Sequence, residues 1–221
     1  MKRELRLLTY CAALLAAMGG VAAAEETLLS VSFADKAWDP TVWTVAKNPT
    51  VAYFGKWIQR EKCLENATPT DPARQSALDE TLTTMVYSTK FRDDYTITAT
   101  FEIGAGSAPG IVLAQDFAPD EQGRPQYGEF YEAIIYEKGI NLWHHFARDG
   151  KRLYEKTAYS TFPLKPDTPY KFEVRRRGKT LQMTVAGHEV GVLIPALADE
   201  LYLGVEGCEG VSRVFDFVVA R

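Results

Sequence analysis

Much of the usual apparatus of metal, redox and phosphate chemistry is missing from this chain. It has only three cysteines and three histidines in 221 residues, and no pair of them stands at the spacing that a zinc site requires. The glycine-rich stretch GAGSAPG, residues 104–110, has no lysine and no helix after it, so it reads as a plain connection and not as a phosphate cradle. Basic charge is in deficit, with 25 Lys and Arg against 29 Asp and Glu. The one basic run, Arg175-Arg176-Arg177, leads into Gly178-Lys179 and reads as a solvated hairpin end. A nucleic-acid partner, which needs a clustered cationic surface, is excluded on that ground. No apolar run is long enough for a confident transmembrane segment, and no stretch sustains a helical period.

The chain does have a pronounced N-terminal pattern. Lys2, Arg3 and Arg6 precede an apolar run, Leu7 to Ala17, and the small residues Ala22-Ala23-Ala24 follow it. This is the layout of a secretory signal peptide over residues 1–24, leaving 25–221 as a single domain that is secreted or periplasmic. Cys11 lacks the small-residue context of a lipid-anchored cysteine. In an exported chain the remaining pair, Cys63 and Cys208, is expected to form one disulfide, closing a loop worth about 4–5 kcal/mol in the chain-entropy account. The alternative is two small buried thiols.

Beyond residue 25 the chain is a succession of short alternating runs split by turn residues. LLSVSF (Leu28 to Phe33) opens it, and Trp38 and Trp43 follow as packing residues. Asn66 to Glu80 is polar, carries Pro69 and Pro72, and reads as a long surface loop. In YTITATFEI, the residues Ile97, Ala99, Phe101 and Ile103 share one face against threonines on the other, as in a half-buried strand. Roughly a dozen such strands at regular turn spacing predict an all-β sandwich or barrel.

The densest chemistry lies in Tyr127 to Phe146, YGEFYEAIIYEKGINLWHHF, which reads as a β-hairpin turning at Lys138-Gly139. That turn pairs Tyr136 with Asn141, Ile134 with Trp143 and Glu132 with His145. One face then carries Glu132, Ile134, Tyr136, Asn141, Trp143 and His145, and the other Tyr131, Ala133, Ile135, Leu142 and His144. The first set is the candidate site. Glu132, His145 and Tyr136 are its candidate catalytic groups, and Trp143, Asn141, Arg124 and Glu129 its candidate ligand contacts. Glycoside hydrolysis needs two carboxyl groups, so Glu132 requires a partner from Glu129, Glu137 or Asp116. A lyase needs a tyrosine or histidine base with a cationic neutraliser such as Arg124. A binding module needs only an aromatic platform, Trp143, with polar neighbours.

Several segments together resemble a known group. The order of FADKAW, KFRDDYTITATFEI, GIVLAQD, YEAIIYEKGINLW, LKPDTPYKFEVRRRGKTLQMTVAG and VFDFVV is similar to the concanavalin A-like lectin and glucanase jelly rolls. Within them it is nearest the laminin-G-like group that includes 3-keto-disaccharide hydrolase-type domains. The resemblance implies two antiparallel sheets face to face, with a glycan on the concave sheet near Tyr131-Glu132. Catalytic relatives of the laminarinase type carry Glu-x-Asp-x-(x)-Glu on one strand. This chain departs from that pattern, its nearest match being Glu129-Phe130-Tyr131-Glu132 with no aspartate between. Some members of the group it resembles also hold a structural calcium, for which Asp216 and Asp35 could serve as carboxylates here; no cofactor is otherwise expected. The expected function is an exported carbohydrate-active protein that binds a glycan or oligosaccharide on the concave sheet, and as an enzyme hydrolyses it. The alternatives are a non-catalytic adhesion or structural sandwich contacting a protein, and a polysaccharide lyase.

Overall fold

Strand by strand, the alternation becomes two packed antiparallel sheets in the computed structural model, which describes residues 25–34, 38–51, 55–67 and 82–221. Those residues form strands and no helix. The first sheet runs in the order β15 (His188–Leu193), β14 (Thr180–Val185), β13 (Pro169–Arg177), β6 (Tyr95–Ile103), β17 (Ser212–Ala220), β4 (Leu64–Asn66) and β3 (Trp57–Gln59), with β1 (Thr27–Ser32) also paired to β17. The second runs β12 (Lys151–Thr161), β11 (Gly139–Arg148), β10 (Phe130–Tyr136), β7 (Gly110–Ala114), β16 (Glu200–Cys208), β5 (Leu82–Arg92) and β2 (Trp43–Val45). A small hairpin, β8 (Phe117–Pro119) and β9 (Pro125–Tyr127), stands apart from both.

The core between the sheets is built from the alternate positions that the sequence marks. Ile97, Ala99, Phe101 and Ile103 of β6 meet a layer from the second sheet that includes Tyr131, Ala133, Ile135, Leu142, Leu203 and Val205. Trp43 is buried in it, with ring centroids 5.8 Å from Phe33 and 5.6 Å from both Tyr87 and Phe217. Trp38 packs against the same core from its margin. Both tryptophans are therefore packing residues.

The second sheet is also covered on part of its other face. Lys47 donates its backbone N–H to Pro125 O and accepts one from Tyr127 N, which ties the chain after β2 to the β8–β9 hairpin. Beneath that cover Ala46, Val86, Val112, Ala114, Tyr127 and Phe130 form a second, smaller apolar cluster. The rest of that face, along β10, β11 and β16, carries a pocket.

Two expectations need correction here. Cys63 and Cys208 are not joined by a disulfide. Cys63 lies in the β3–β4 turn of the first sheet, whereas Cys208 ends β16 in the second, paired with Leu82. The hairpin turn is also displaced by one residue on each arm: Tyr136 pairs with Gly139, so the connecting pair is Glu137-Lys138. Gly139 belongs to the strand because β12 passes too close for a side chain; a Cβ on it would lie 2.0 Å from Ser160 O, and its φ is +130°. Asp35, the signal-peptide segment 1–24 and most of the predicted loop at Asn66 to Glu80 lie outside the described residues. Asn66 itself closes β4. No helix among the described residues is long and apolar enough to cross a membrane.

Candidate functional site

A one-residue displacement on both arms of a hairpin conserves parity, so the predicted division of faces survives the change of register. Glu132 now sits opposite Trp143, Ile134 opposite Asn141 and Phe130 opposite His145. On the other side of β10, Glu132 pairs with Val112 and Ile134 with Gly110 of β7; Gly110 in turn pairs with Glu206 of β16. These strands floor a pocket of about 270 Å³ lined by Glu132, Ile134, Tyr136, Asn141, Trp143, His145, Tyr154 and Glu206, with Leu82, Ala108, Cys208 and Glu209 completing it. Gly110 keeps the floor low between Ile134 and Glu206. A Cβ there would meet Ala133 O at 2.3 Å and Ile134 Cγ2 at 2.8 Å, distances that no relaxed structure permits.

Glu132 is held at both oxygens. Asn48 Nδ2 donates to Oε1 at 3.0 Å, and His145 Nε2 lies 2.8 Å from Oε2. Asn48 is in turn fixed by its Oδ1, which accepts from Thr50 N and Thr50 Oγ1 at 2.9 and 2.7 Å. His145 is clamped by stacking, with its ring 4.4 Å from Phe130 and 5.8 Å from Tyr154. All three polar residues are buried: Glu132 is 6% exposed, His145 5% and Asn48 1%. A buried carboxylate is tolerable only when its hydrogen bonds are made inside the protein, and this one has two such bonds.

The neighbouring groups reinforce the polarity of the floor. Glu206 is fully buried. Burial pushes the Tyr127 phenol well above its ordinary range; Thr84 opposes that rise, and the charges of Glu206 and Glu132 add to it. Tyr127 therefore keeps its proton beside two acids. Two buried polar atoms, Asn141 Oδ1 and His145 Nδ1, have no hydrogen-bond partner among the described residues. At the outer margin the indole of Trp143 is half-buried, edge-on to Tyr154 at 5.9 Å, with the Lys156 ammonium 4.9 Å from its ring.

Five of the residues singled out in the sequence thus line one pocket: Glu132, Tyr136, Asn141, Trp143 and His145. Two do not. Arg124 is spent locally in the β8–β9 turn, where its Nε donates to Asp120 Oδ2 at 2.9 Å and its terminal nitrogen to Gln122. Glu129 lies beside His144, 2.8 Å from its Nε2, on the opposite side of the hairpin; His144 in turn stacks on Tyr131. The expected partners for Glu132 are also elsewhere. Glu137 sits in the hairpin turn and accepts from Gly106 N, and Asp116 sits against Gly128 and accepts from Glu129 N.

The second acid of the pocket is Glu206, which sequence reasoning missed. Its signal was visible: a lone acid at an alternating position of the otherwise apolar LYLGVEG. Asn48, Tyr127 and Tyr154 had no comparable signal, since each depends on which strands become neighbours. Of the two carboxylates expected for a calcium, Asp35 lies outside the described residues and Asp216 has a structural bond. Asp216 Oδ1 accepts from Thr100 N at 2.9 Å, bridging the irregularity where β17 slips against β6. Among the described residues no cluster of three or more His, Cys, Asp or Glu suits a metal.

No known family's sequence profile matches the chain, and no curated protein matches it. Solved structures do. κ-Carrageenase from Pseudoalteromonas carrageenovora, solved with an oligotetrasaccharide of κ-carrageenan, superposes with a TM-score of 0.60 at 11% identity, covering 90% of this chain and 96% of that one. β-Agarase A, solved with oligoagarose, gives 0.63 at 9%, covering 89% and 92%. The carbohydrate-binding module CBM66 from Bacillus subtilis gives 0.54 at 12%, covering 78% and 91%. The fold is therefore the concanavalin A-like jelly roll, shared by lectin, glycosidase and carbohydrate-binding domains.

Proposed function

We propose that this domain is an exported carbohydrate-recognition protein, and that the pocket on the outer face of the second sheet takes a sugar unit of a glycan. The observation that carries this reading is the pocket's inventory: a half-exposed indole beside buried, pre-positioned carboxylates and an amide. A sugar ring presents apolar C–H faces for stacking and hydroxyls for hydrogen bonding, and this lining offers both. At about 270 Å³ the pocket is at the small end of ligand sites, which favours a single terminal or branch unit over a long chain segment. Fold alone does not assign function, so the likeness to carbohydrate-active domains is supporting context. A glycan-array screen tests the reading, followed by titration of each hit against Trp143→Ala. Binding that is lost in the variant supports it; no hit on a broad array, or hits indifferent to Trp143, would overturn it.

One observation favours a second reading, hydrolysis. Glu132 and Glu206 are both buried on the same floor, two strands apart across β7, and glycoside cleavage runs on two flanking carboxyl groups. On this reading Glu132, oriented by Asn48 and His145, and Glu206 divide the acid and base roles. Product analysis on an array hit decides it: turnover lost in both Glu132→Gln and Glu206→Gln, with affinity retained, marks an enzyme. Absence of any product from the wild type leaves a binding module.

A further inference from the structure

Strand β12 is the edge of the second sheet, and its outer face continues the pocket. Tyr154, Lys156 and Tyr159 are paired with His145, Trp143 and Asn141, three of the pocket's lining residues, and paired residues share a face. Plain alternation would send Tyr159 the other way, because it lies an odd number of positions after Tyr154. Thr157 prevents this. It is the extra residue where the β11–β12 register shifts between Leu142 and Trp143, and a bulge of this kind re-aims the side chains that follow it. The outcome is a row of Arg152, Tyr154, Lys156 and Tyr159 on one face, aromatic and cationic side chains in alternation.

The row is open to solvent and partly pre-positioned. Tyr154 is 59% exposed and Tyr159 66%, yet Tyr154 is braced by ring contacts at 5.9 Å to Trp143 and 5.8 Å to His145. The Lys156 ammonium stands 4.9 Å from the Trp143 ring centre and 5.6 Å from that of Tyr159. Arg152 is exposed, with Nη1 donating to Gly128 O at 3.0 Å. Glu155 turns to the opposite face, 3.6 Å from His144 Nδ1. The chain as a whole carries a formal charge of −4, so attraction for an anion has to come from a local arrangement such as this one.

We infer that β12 carries the further units of an extended anionic glycan whose end unit occupies the pocket, with Tyr154 and Tyr159 stacking on separate sugar rings and Lys156 and Arg152 pairing with their sulfate or carboxylate groups. This deepens the glycan reading and rests on it. The cross-strand partners of the two tyrosines, His145 and Asn141, stand roughly 13 Å apart along β11. One sugar ring cannot touch both platforms. A cation–π contact at an exposed site is weak, whereas an ammonium or guanidinium forms charge-assisted hydrogen bonds with an anionic oxygen, so an anion readily draws Lys156 from the rings it rests on. A neutral glycan offers nothing that would displace it.

The experiment uses laminarin, dextran and galactan, each as the neutral polymer, its sulfate ester and its carboxymethyl ether, so that the sulfate and carboxylate arms share one backbone. Binding to the mature chain is measured by affinity electrophoresis and calorimetry at fixed ionic strength, because screening weakens exposed charge pairs. For at least one backbone an anionic form should bind at least about tenfold more tightly than the neutral one, and the better of the two arms names the anion. Lys156→Gln should reduce that ratio to about twofold. Tyr159→Ala should weaken the polymer by about fivefold or more, and the methyl glycoside of its repeating sugar by less. Neutral forms that bind best, or a preference for anions that survives Lys156→Gln, overturn this inference and leave the glycan reading standing. So does a dimer in sedimentation that Tyr159→Ala dissociates, which would make the row a contact between copies of this chain. Failure of every polymer, together with an empty array, overturns both readings. Should a variant fold poorly, the wild-type series of neutral and anionic forms decides the matter by itself.

Discussion

His145 holds its Nε2 2.8 Å from Glu132 Oε2 while its ring lies nearly parallel to Phe130, 4.4 Å away. The pairing crosses β10 and β11 diagonally: Glu132 is directly opposite Trp143, and His145 is opposite Phe130. A diagonal bond of this kind ties two registers of the hairpin together, and it consumes one oxygen of a carboxylate that is almost fully buried. The acid is consequently part of the fold as well as of the site.

That coupling is measurable. His145→Ala should destabilise the domain by about 1–3 kcal/mol, because it strands one Glu132 oxygen. Glu132→Gln should cost about as much, and the double variant should cost less than the two together, since the bond is already absent in either single one. Denaturant unfolding of the four proteins gives the coupling; strictly additive losses would show that the contact is energetically silent.

Trp143→Ala should leave unfolding unchanged within about 1 kcal/mol, since the indole is only half-buried at the pocket margin. Glycan affinity should fall by about 1–3 kcal/mol, the usual cost of truncating an aromatic anchor. Calorimetry and a melting curve on the same variant separate the two effects, and a large loss of stability would reassign the residue to the core.

Gly110→Ala tests the floor. The added methyl meets the Ala133 carbonyl at 2.3 Å, so the β7–β10 ladder must shift, at a cost of about 1–3 kcal/mol. The same shift separates Glu132 from Glu206. Expected together are a melting temperature several degrees lower and weakened ligand binding. An unchanged melting point would mean that the strands adjust freely.

The first sheet carries an acid-sensitive link. Burial alone would raise the Glu65 pKa, yet hydrogen bonds from Arg60 and Arg213, at 2.6 and 3.0 Å, outweigh it and hold the group below its ordinary value of 4.5. A depressed folded-state pKa contributes stability above the unfolded value, and that contribution is lost as pH falls through the folded one. The stability gap between wild type and Arg213→Ala should therefore be constant above about pH 5 and close progressively below 4.5. A gap that persists at pH 2 would assign the effect to packing of the arginine stem.

Cys63 and Cys208 should both alkylate when the mature protein is unfolded without reductant, with peptide mapping as the readout. In the folded state Cys63 should react slowly at neutral pH, because burial raises its thiol pKa. Recovery of a peptide linking the two residues would show that the sheets bring them closer than this structure does.

Most of the fold was legible because β-structure writes its burial in a period of two. The face shared by Ile97, Ala99, Phe101 and Ile103 needed no partner to be recognised, and the packing role of Trp43 followed from its apolar context. The hairpin faces were legible for the same reason, even though the predicted turn was wrong. Gly139 was misread as a turn residue because its true constraint, the closeness of Ser160 O on β12, is a contact between strands and leaves no local trace.

The site divides along the same line. Sequence alone determined that Glu132, Tyr136, Asn141, Trp143 and His145 share one face, since parity is a local property of a strand. Which residues join that face from elsewhere was decided only by the tertiary structure. Strand order places β16 beside β7 and so brings in Glu206; the cover after β2 brings in Asn48; and local bonds withdraw Arg124 and Glu129. Neighbours across a sheet are chosen by the global packing of two apolar faces. No short-range pattern records that choice.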